Sequence, residues 1–348
     1  VWIFGWDKLS KGVHLLSIWL AALGSNLSAL WILIANSFMQ HPVGYVIENG
    51  RAVMNDFGAL LANPYVWTQF PHTILSGFAT GAFFVLGISA YHLIRRREMD
   101  FFRRSFIIAS VFGTLAIFLV ILVGHSQAQR MVIDQPMKMA AAEALWESEN
   151  PASFSLFTVG NEAELKDRWS IRIPYLLSVL AYNRPTGEVK GIRNLQAEYE
   201  QRYGPGYYAP SIITMYWTFR IMVGSGFLMM FLALLALYPT LRSRPITQFR
   251  YVKFFPLAIA LPYLANSTGW IFTEMGRQPW VVYGLMKTKD AFSPNLTPGM
   301  VLTTLIVFTL VYGLLMAADV YLLVKFARTG PVHEDRSDAE LSEEVSLI

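Results

Sequence analysis

Three stretches of this sequence place chemically competent side chains where an apolar environment should exclude them. His72 opens one in Phe70-Pro71-His72-Thr73, and Arg220 with Met222 lies in another, Phe219-Arg220-Ile221-Met222-Val223-Gly224. Trp270, Glu274 and Arg277 close a third, Gly269-Trp270-Ile271-Phe272-Thr273-Glu274-Met275-Gly276-Arg277-Gln278-Pro279-Trp280. Ionisable groups in such surroundings are costly unless paired or hydrated, so each is a candidate functional residue. Imidazole, thioether and carboxylate are also the ligand types left to a chain without cysteine. Each has an ordinary reading as well. A lone interfacial histidine serves headgroup or backbone hydrogen bonding, and a methionine, one of 14 here, is a routine packing residue. Glu274 and Arg277 are i,i+3 and Trp270 is four residues before Glu274, so the three form one helical stripe. That stripe reads either as a plain interfacial ion pair or as a site. Arg220 and Met222 stand about 200° apart on a helix and cannot face one partner squarely.

A polar centre, Gly24-Ser25-Asn26-Leu27-Ser28, interrupts the first apolar stretch between Trp19 and Trp31. Small residues there suit close helix packing, and a polar pathway is the equal alternative. Asp7, just before that stretch, is either a proton entry point or a solvated flank. His14, His92 and His333, and likewise His41 and His125, fall at stretch ends or beyond, where interfacial placement accounts for them.

The elements that position these residues follow from composition. The chain has 348 residues, 54% hydrophobic and 15% charged, against about 25% charged in a soluble domain. Ordinary soluble globularity is excluded, and nothing points to nucleic acid. The absence of cysteine excludes disulfides, thiolate metal sites, iron–sulfur clusters and covalently attached haem. Apolar runs predict spans at 12–36, 70–93, 106–124, 212–238, 254–275 and 299–326, each of about the length a bilayer needs. Basic residues sort to one side of these six: Lys8 and Lys11; Arg95, Arg96, Arg97, Arg103 and Arg104; Arg242, Arg244, Arg250 and Lys253; Lys325 and Arg328. That side is expected to be cytoplasmic, which puts the C-terminus inside and His72, Met222 and Glu274 in the outer half. The expected fold is an all-α polytopic membrane protein with a long outer loop between the third and fourth spans. The chain divides into 1–124 with three spans, an outer loop at 125–211, three spans at 212–328 and an acidic tail at 329–348. No internal repeat of the kind common in transporters is present. From the residues alone, a transporter or channel using Arg220, Glu274 and Arg277 competes with a redox protein.

The runs Gly5-Trp6-Asp7, Gly24-Ser25-Asn26-Leu27-Ser28-Ala29-Leu30-Trp31-Ile32-Leu33, Phe219-Arg220-Ile221-Met222 and Gly276-Arg277-Gln278-Pro279-Trp280 resemble subunit I of cytochrome bd ubiquinol oxidases. The last run is quite specific, and the resemblance covers essentially the whole chain in order. It implies a bacterial cytoplasmic-membrane enzyme that oxidises ubiquinol or menaquinol at the outer face and reduces oxygen to water with cytoplasmic protons. It further implies a second subunit of similar architecture and a small single-span one. The family has nine spans, so the chain corresponds to its last six. The histidine of one high-spin haem and the glutamates of the proton route belong to spans not represented, which makes the chain an expected fragment.

Residue by residue, the resemblance implies His72 and Met222 as axial ligands of a low-spin haem b, and Glu274 as ligand of a high-spin haem. The oxygen site is implied to hold a high-spin haem b and a haem d, and members of the family differ in which of the two takes the Glu274 position, so that assignment stays open. Trp270 matches an aromatic between the haems. Arg220 and Arg277 match arginines near haem edges, where guanidinium pairs with propionates. In the outer loop, Lys138 and Glu143 match residues of quinol oxidation, a cation to polarise the quinol oxygen and a carboxylate to take its proton. Asp7 and Ser28 match polar residues of the cytoplasmic proton route. The second half of the loop is short for the family.

Overall fold

The computed structural model describes residues 1–6, 8–162, 164–242 and 245–331. Asp7, Arg244, His333 and the acidic tail from 332 onward lie outside the described residues. The first span is α1 (Lys11–Gln40), followed by a hairpin of β1 (Tyr45–Glu48) and β2 (Arg51–Met54), and by a short α2 (Phe57–Leu61). Asp56 caps α2 by accepting the Ala59 N–H at 3.0 Å. Next come α3 (Val66–Ile94) and α4 (Met99–Asp134). The outer loop then supplies α5 (Pro136–Glu143), a hairpin of β3 (Phe154–Asn161) and β4 (Lys166–Ile173), α6 (Leu176–Tyr182) and α7 (Ile192–Tyr203). Helix α8 (Ile212–Leu241) re-enters the bundle behind its cap Ser211, followed by α9 (Phe255–Ala258) and α10 (Ala260–Met275). A small hairpin of β5 (Trp280–Val282) and β6 (Met286–Lys287) leads to α11 (Pro298–Thr329), which starts with Thr297 as cap and Pro298 in its first turn.

Five of these helices are long and apolar enough to cross a membrane. The sixth expected span, 254–275, is built from two pieces that meet at Ile259. Pro262 explains the break, because a proline has no N–H to bond the carbonyl of residue 258 and its ring crowds that carbonyl, while Pro256 sits in the first turn of α9 where it is tolerated. Residues 255–275 still extend over about 30 Å at 1.5 Å per residue. Helix α4 runs ten residues past the expected span end at 124, because nothing before Pro136 stops it. His125 therefore sits on a helix. Among the described residues the fold is helical apart from three two-stranded hairpins, all on the side predicted to be outer.

Helices α3, α4, α8 and α10 pack together, with α9 against α3. Their core contains Phe83, Leu86, Phe106, Ile117, Ala233 and Phe255. A second core fills the outer loop and ties it to the bundle. It runs from Met131, Met137 and Leu145 through Leu195 and Tyr208 to Met215, Tyr216, Phe272 and Trp280. The loop is thus a folded outer layer seated on the ends of α8 and α10. Helix α1 buries residues only in its last eight positions, and α11 buries none.

Candidate functional site

The outer layer reaches the bundle through α5. Pro136 starts this helix, and Ala144 ends it in a left-handed conformation at φ 44°. Lys138 and Glu143 are five residues apart, about 140° around the axis, so the helix presents them to different neighbours. Both are almost completely buried, at 3% and 1% exposure.

Lys138 points toward the ends of α1 and α10. Its Nζ donates to the Thr273 carbonyl at 3.0 Å and to Gln40 Oε1 at 3.3 Å. Gln135 Nε2 donates to the Gln40 carbonyl at 2.6 Å and to its Oε1 at 2.8 Å. The ammonium is thereby solvated by neutral oxygens, with Glu274 as a longer-range counter-charge. Burial pulls the Lys138 pKa down to about 7, against the raising influence of Glu274 and with Arg277 lowering it further.

Glu143 points toward α8. Its Oε2 accepts from Arg220 Nη2 at 2.8 Å and from the Ser155 N–H at 3.0 Å. Arg220 Nη2 also donates to the Ser155 carbonyl at 2.6 Å, and its guanidinium lies among the rings of Phe154, Tyr216 and Phe219. Ser155 Oγ bonds Tyr216 Oη at 2.9 Å and Thr158 Oγ1 at 2.7 Å. Burial pushes the Glu143 carboxyl upward, while the Arg220 charge and hydrogen bond pull it back.

Glu274 and Arg277 pair at 2.6 Å through Oε2 and Nη2, as their spacing predicts. The other oxygen, Oε1, accepts from Asn36 Nδ2 at 2.9 Å. Asn36 Oδ1 accepts from Gln69 Nε2 at 2.9 Å, and Gln69 Oε1 from Ser37 Oγ at 3.1 Å. The Glu274 side chain stays 31% exposed, whereas that of Arg277 is 7% exposed.

His72 lies on α3 and packs on α4, where a Cβ at Gly124 would stand 3.2 Å from its Cε1. Its Nδ1 is buried and without a hydrogen-bond partner among the described residues. Met222 lies on α8 and packs on α10, with its sulfur 2.8 Å from where a Cβ at Gly269 would be. Trp270 is half exposed on α10, and Ser28 is exposed on the unpacked face of α1.

The expected residues thus fall into two joined groups, Glu274 with Arg277 and Lys138, and Glu143 with Arg220. Lys138 and Glu143, expected to act on one quinol, belong to different groups. Arg220, expected at a propionate, spends one Nη on Glu143, while its Nε and Nη1 are buried without hydrogen-bond partners among the described residues. Sequence reasoning missed Asn36, Gln40, Gln69, Gln135, Ser155 and Tyr216. The available signal was the i,i+4 pair Asn36 and Gln40 in an apolar helix, with Gln69 three residues before His72.

A bundle of apolar helices long enough to cross a membrane, with buried charges gathered where a folded layer caps one end, defines an integral membrane protein with a candidate site at that end. The chain belongs to the family described as cytochrome bd terminal oxidase subunit I, whose model matches residues 1–331. It is 47% identical to cytochrome bd ubiquinol oxidase subunit 1 of Bacillus subtilis (strain 168) over 98% of the chain and 73% of that protein. It is 37% identical to cytochrome bd-II ubiquinol oxidase subunit 1 of Escherichia coli (strain K12), over 95% of the chain and 76% of that protein. The structure of bd oxidase from Geobacillus thermodenitrificans superposes with a TM-score of 0.79 at 29% identity, over 95% of this chain and 74% of that one. The chain therefore spans about three quarters of the length of these relatives. It is a subunit of a quinol oxidase, an enzyme of bacterial membranes acting on quinol and oxygen. Family membership decides for the redox class over a transporter or channel.

Proposed function

We propose that this chain oxidises quinol beside α5, releases its protons on the outer side and directs its electrons to haem groups in the outer half of the bundle, with His72 and Met222 as the residues that would hold a low-spin haem b. Glu274 is the carboxylate ligand of a high-spin haem, and Arg220 and Arg277 face anionic haem edges. The donor set fits such a group. His72 offers a buried imidazole nitrogen, and Gly269 leaves room for the Met222 sulfur. The unpartnered buried N–H groups of Arg220 and Arg277 are what carboxylate substituents would satisfy. A haem held there supplies one-electron transfer, and paired His and Met ligation raises its potential.

The observation that carries the reading is the bridging position of α5. Its Glu143 is locked to Arg220, two residues from Met222, and its Lys138 is locked to the carbonyl of Thr273, next to Glu274. Glu143 holds both of its hydrogen bonds on Oε2, which leaves Oε1 as the atom that takes the quinol proton. Lys138, as a buried donor, polarises a quinol oxygen and returns to its amide cradle. Asp7 and Ser28 serve proton entry from the cytoplasmic side. A second subunit of similar architecture covers faces of α1 and α11, a small single-span subunit joins it, and the C-terminus is cytoplasmic.

The test is quinol oxidation by Glu143→Gln in the assembled oxidase. Turnover should fall by about 100-fold or more, the range of a lost general base, with the reduced low-spin haem spectrum retained. Unchanged turnover would remove Glu143 from proton transfer.

A further inference from the structure

A carboxylate in the last turn of a helix, with its side chain 31% exposed, has rotamer freedom that must be removed before it can hold one orientation. Arg277 does not remove it relative to the bundle, because it follows Glu274 by three residues and moves with the same helix end. The contact from elsewhere is Asn36, which reaches across from α1 to Glu274 Oε1 at 2.9 Å. Asn36 is held in turn by Gln69 of α3 at 2.9 Å, and Gln69 by Ser37 of α1 at 3.1 Å. All three residues are buried.

The direction of this chain is dictated by its end. An ionised carboxylate accepts and cannot donate, so Asn36 must present its NH2 to Glu274 and receive on Oδ1. Gln69 must then donate to Asn36 and receive on Oε1, which the Ser37 hydroxyl satisfies. Every member donates forward and accepts from behind, an arrangement in which neighbouring bonds polarise one another. We infer that Asn36 is a positioning residue for Glu274, and that Gln69 and Ser37 form the relay that fixes the Asn36 amide. This rests on Glu274 being a haem ligand. Asn36 and Arg277 then occupy one lone pair on each oxygen, leave the others for iron and lower the basicity of the ligand. Partners of this kind around a ligand typically change affinity or activity by about 10- to 100-fold when removed.

The test uses the assembled, haem-loaded oxidase with Asn36→Leu, Gln69→Leu, Ser37→Ala and Glu274→Ala. The readouts are the midpoint potentials of the high-spin and low-spin haems and the redox-difference infrared band of the Glu274 carboxylate. Asn36→Leu should shift the high-spin potential downward, because a more basic carboxylate stabilises the oxidised iron, and should move the carboxylate band. Gln69→Leu should do the same to a smaller degree, Ser37→Ala less still, and the low-spin haem should report an intact fold throughout. If Asn36→Leu fails to assemble, the graded shift in Gln69→Leu and Ser37→Ala decides. High-spin potentials and carboxylate bands that stay at wild-type values in the assembled variants, while Glu274→Ala loses the high-spin signature, would overturn the positioning role alone. A high-spin signature retained in Glu274→Ala would instead overturn the ligand assignment.

Discussion

The two ends of α5 solve the burial of a charge in opposite ways. Glu143 is neutralised by direct contact with Arg220 at 2.8 Å, and the guanidinium of Arg220 is itself packed among aromatic rings. Lys138 is held by carbonyl and amide oxygens and lies over the Phe272 ring at 5.5 Å, with its counter-charge Glu274 beyond contact. A contact ion pair fixes its charges firmly and makes the loss of one partner expensive. An ammonium in a neutral cradle has a labile charge, which is why its pKa falls to about 7 while Arg220 restrains the rise at Glu143. One end of the helix therefore anchors the outer layer to α8, and the other can change protonation near neutral pH beside α10.

The largest expected effect comes from breaking the anchored end. Arg220→Leu or Glu143→Leu alone leaves an uncompensated buried charge, and each should cost about 3–5 kcal/mol of stability, measured by thermal unfolding of the detergent-solubilised oxidase. The double variant should recover most of that loss and remain unable to oxidise quinol, so a double-mutant cycle separates anchoring from proton transfer.

At the labile end the effect lies in pH dependence. The Lys138 pKa is lower in the folded chain than its ordinary 10.5, so between about 7 and 10.5 the unfolded chain binds the extra proton. Stability then rises with pH across that window. Lys138→Met should remove this slope from the melting temperature and abolish the limb near pH 7 in the quinol oxidation profile. A slope that survives in the variant would show that another group titrates.

A smaller change separates the ligand geometry from both ends. At Gly269→Ala the new Cβ would lie 2.8 Å from the Met222 sulfur, and the flexible thioether should yield. Little stability is lost, and the low-spin optical bands should convert in part to high-spin ones. Ser155→Ala is the mildest. It removes the hydroxyl bonds to Tyr216 and Thr158 but keeps the N–H to Glu143, for about 1 kcal/mol.

Much of the fold was readable because apolar length and the placement of arginines are local signals. The ends of α1, α3, α8 and α11 fall within a few residues of those expected. The break at Ile259 was signalled by Pro262, which the apolar run masked. In the site, Glu274 with Arg277 was legible as an i,i+3 pair, whereas Glu143 with Arg220 joins residues 77 apart and depends on how the loop folds onto α8. Asn36, Gln40 and Gln69 were passed over because they carry no charge, although neutral amides buried in a span need partners as strictly as ions do. The shared roles of Lys138 and Glu143 came from family resemblance, which identifies residues without telling which helix each one faces.

The feature proposed at the centre of the site is one haem iron held by His72 and Met222. The decisive measurement is the low-temperature reduced spectrum, with magnetic circular dichroism, of His72→Ala and Met222→Ala in the assembled oxidase. Each variant should lose the low-spin haem b component and keep the high-spin bands. A low-spin spectrum identical to wild type in either variant would contradict the assignment.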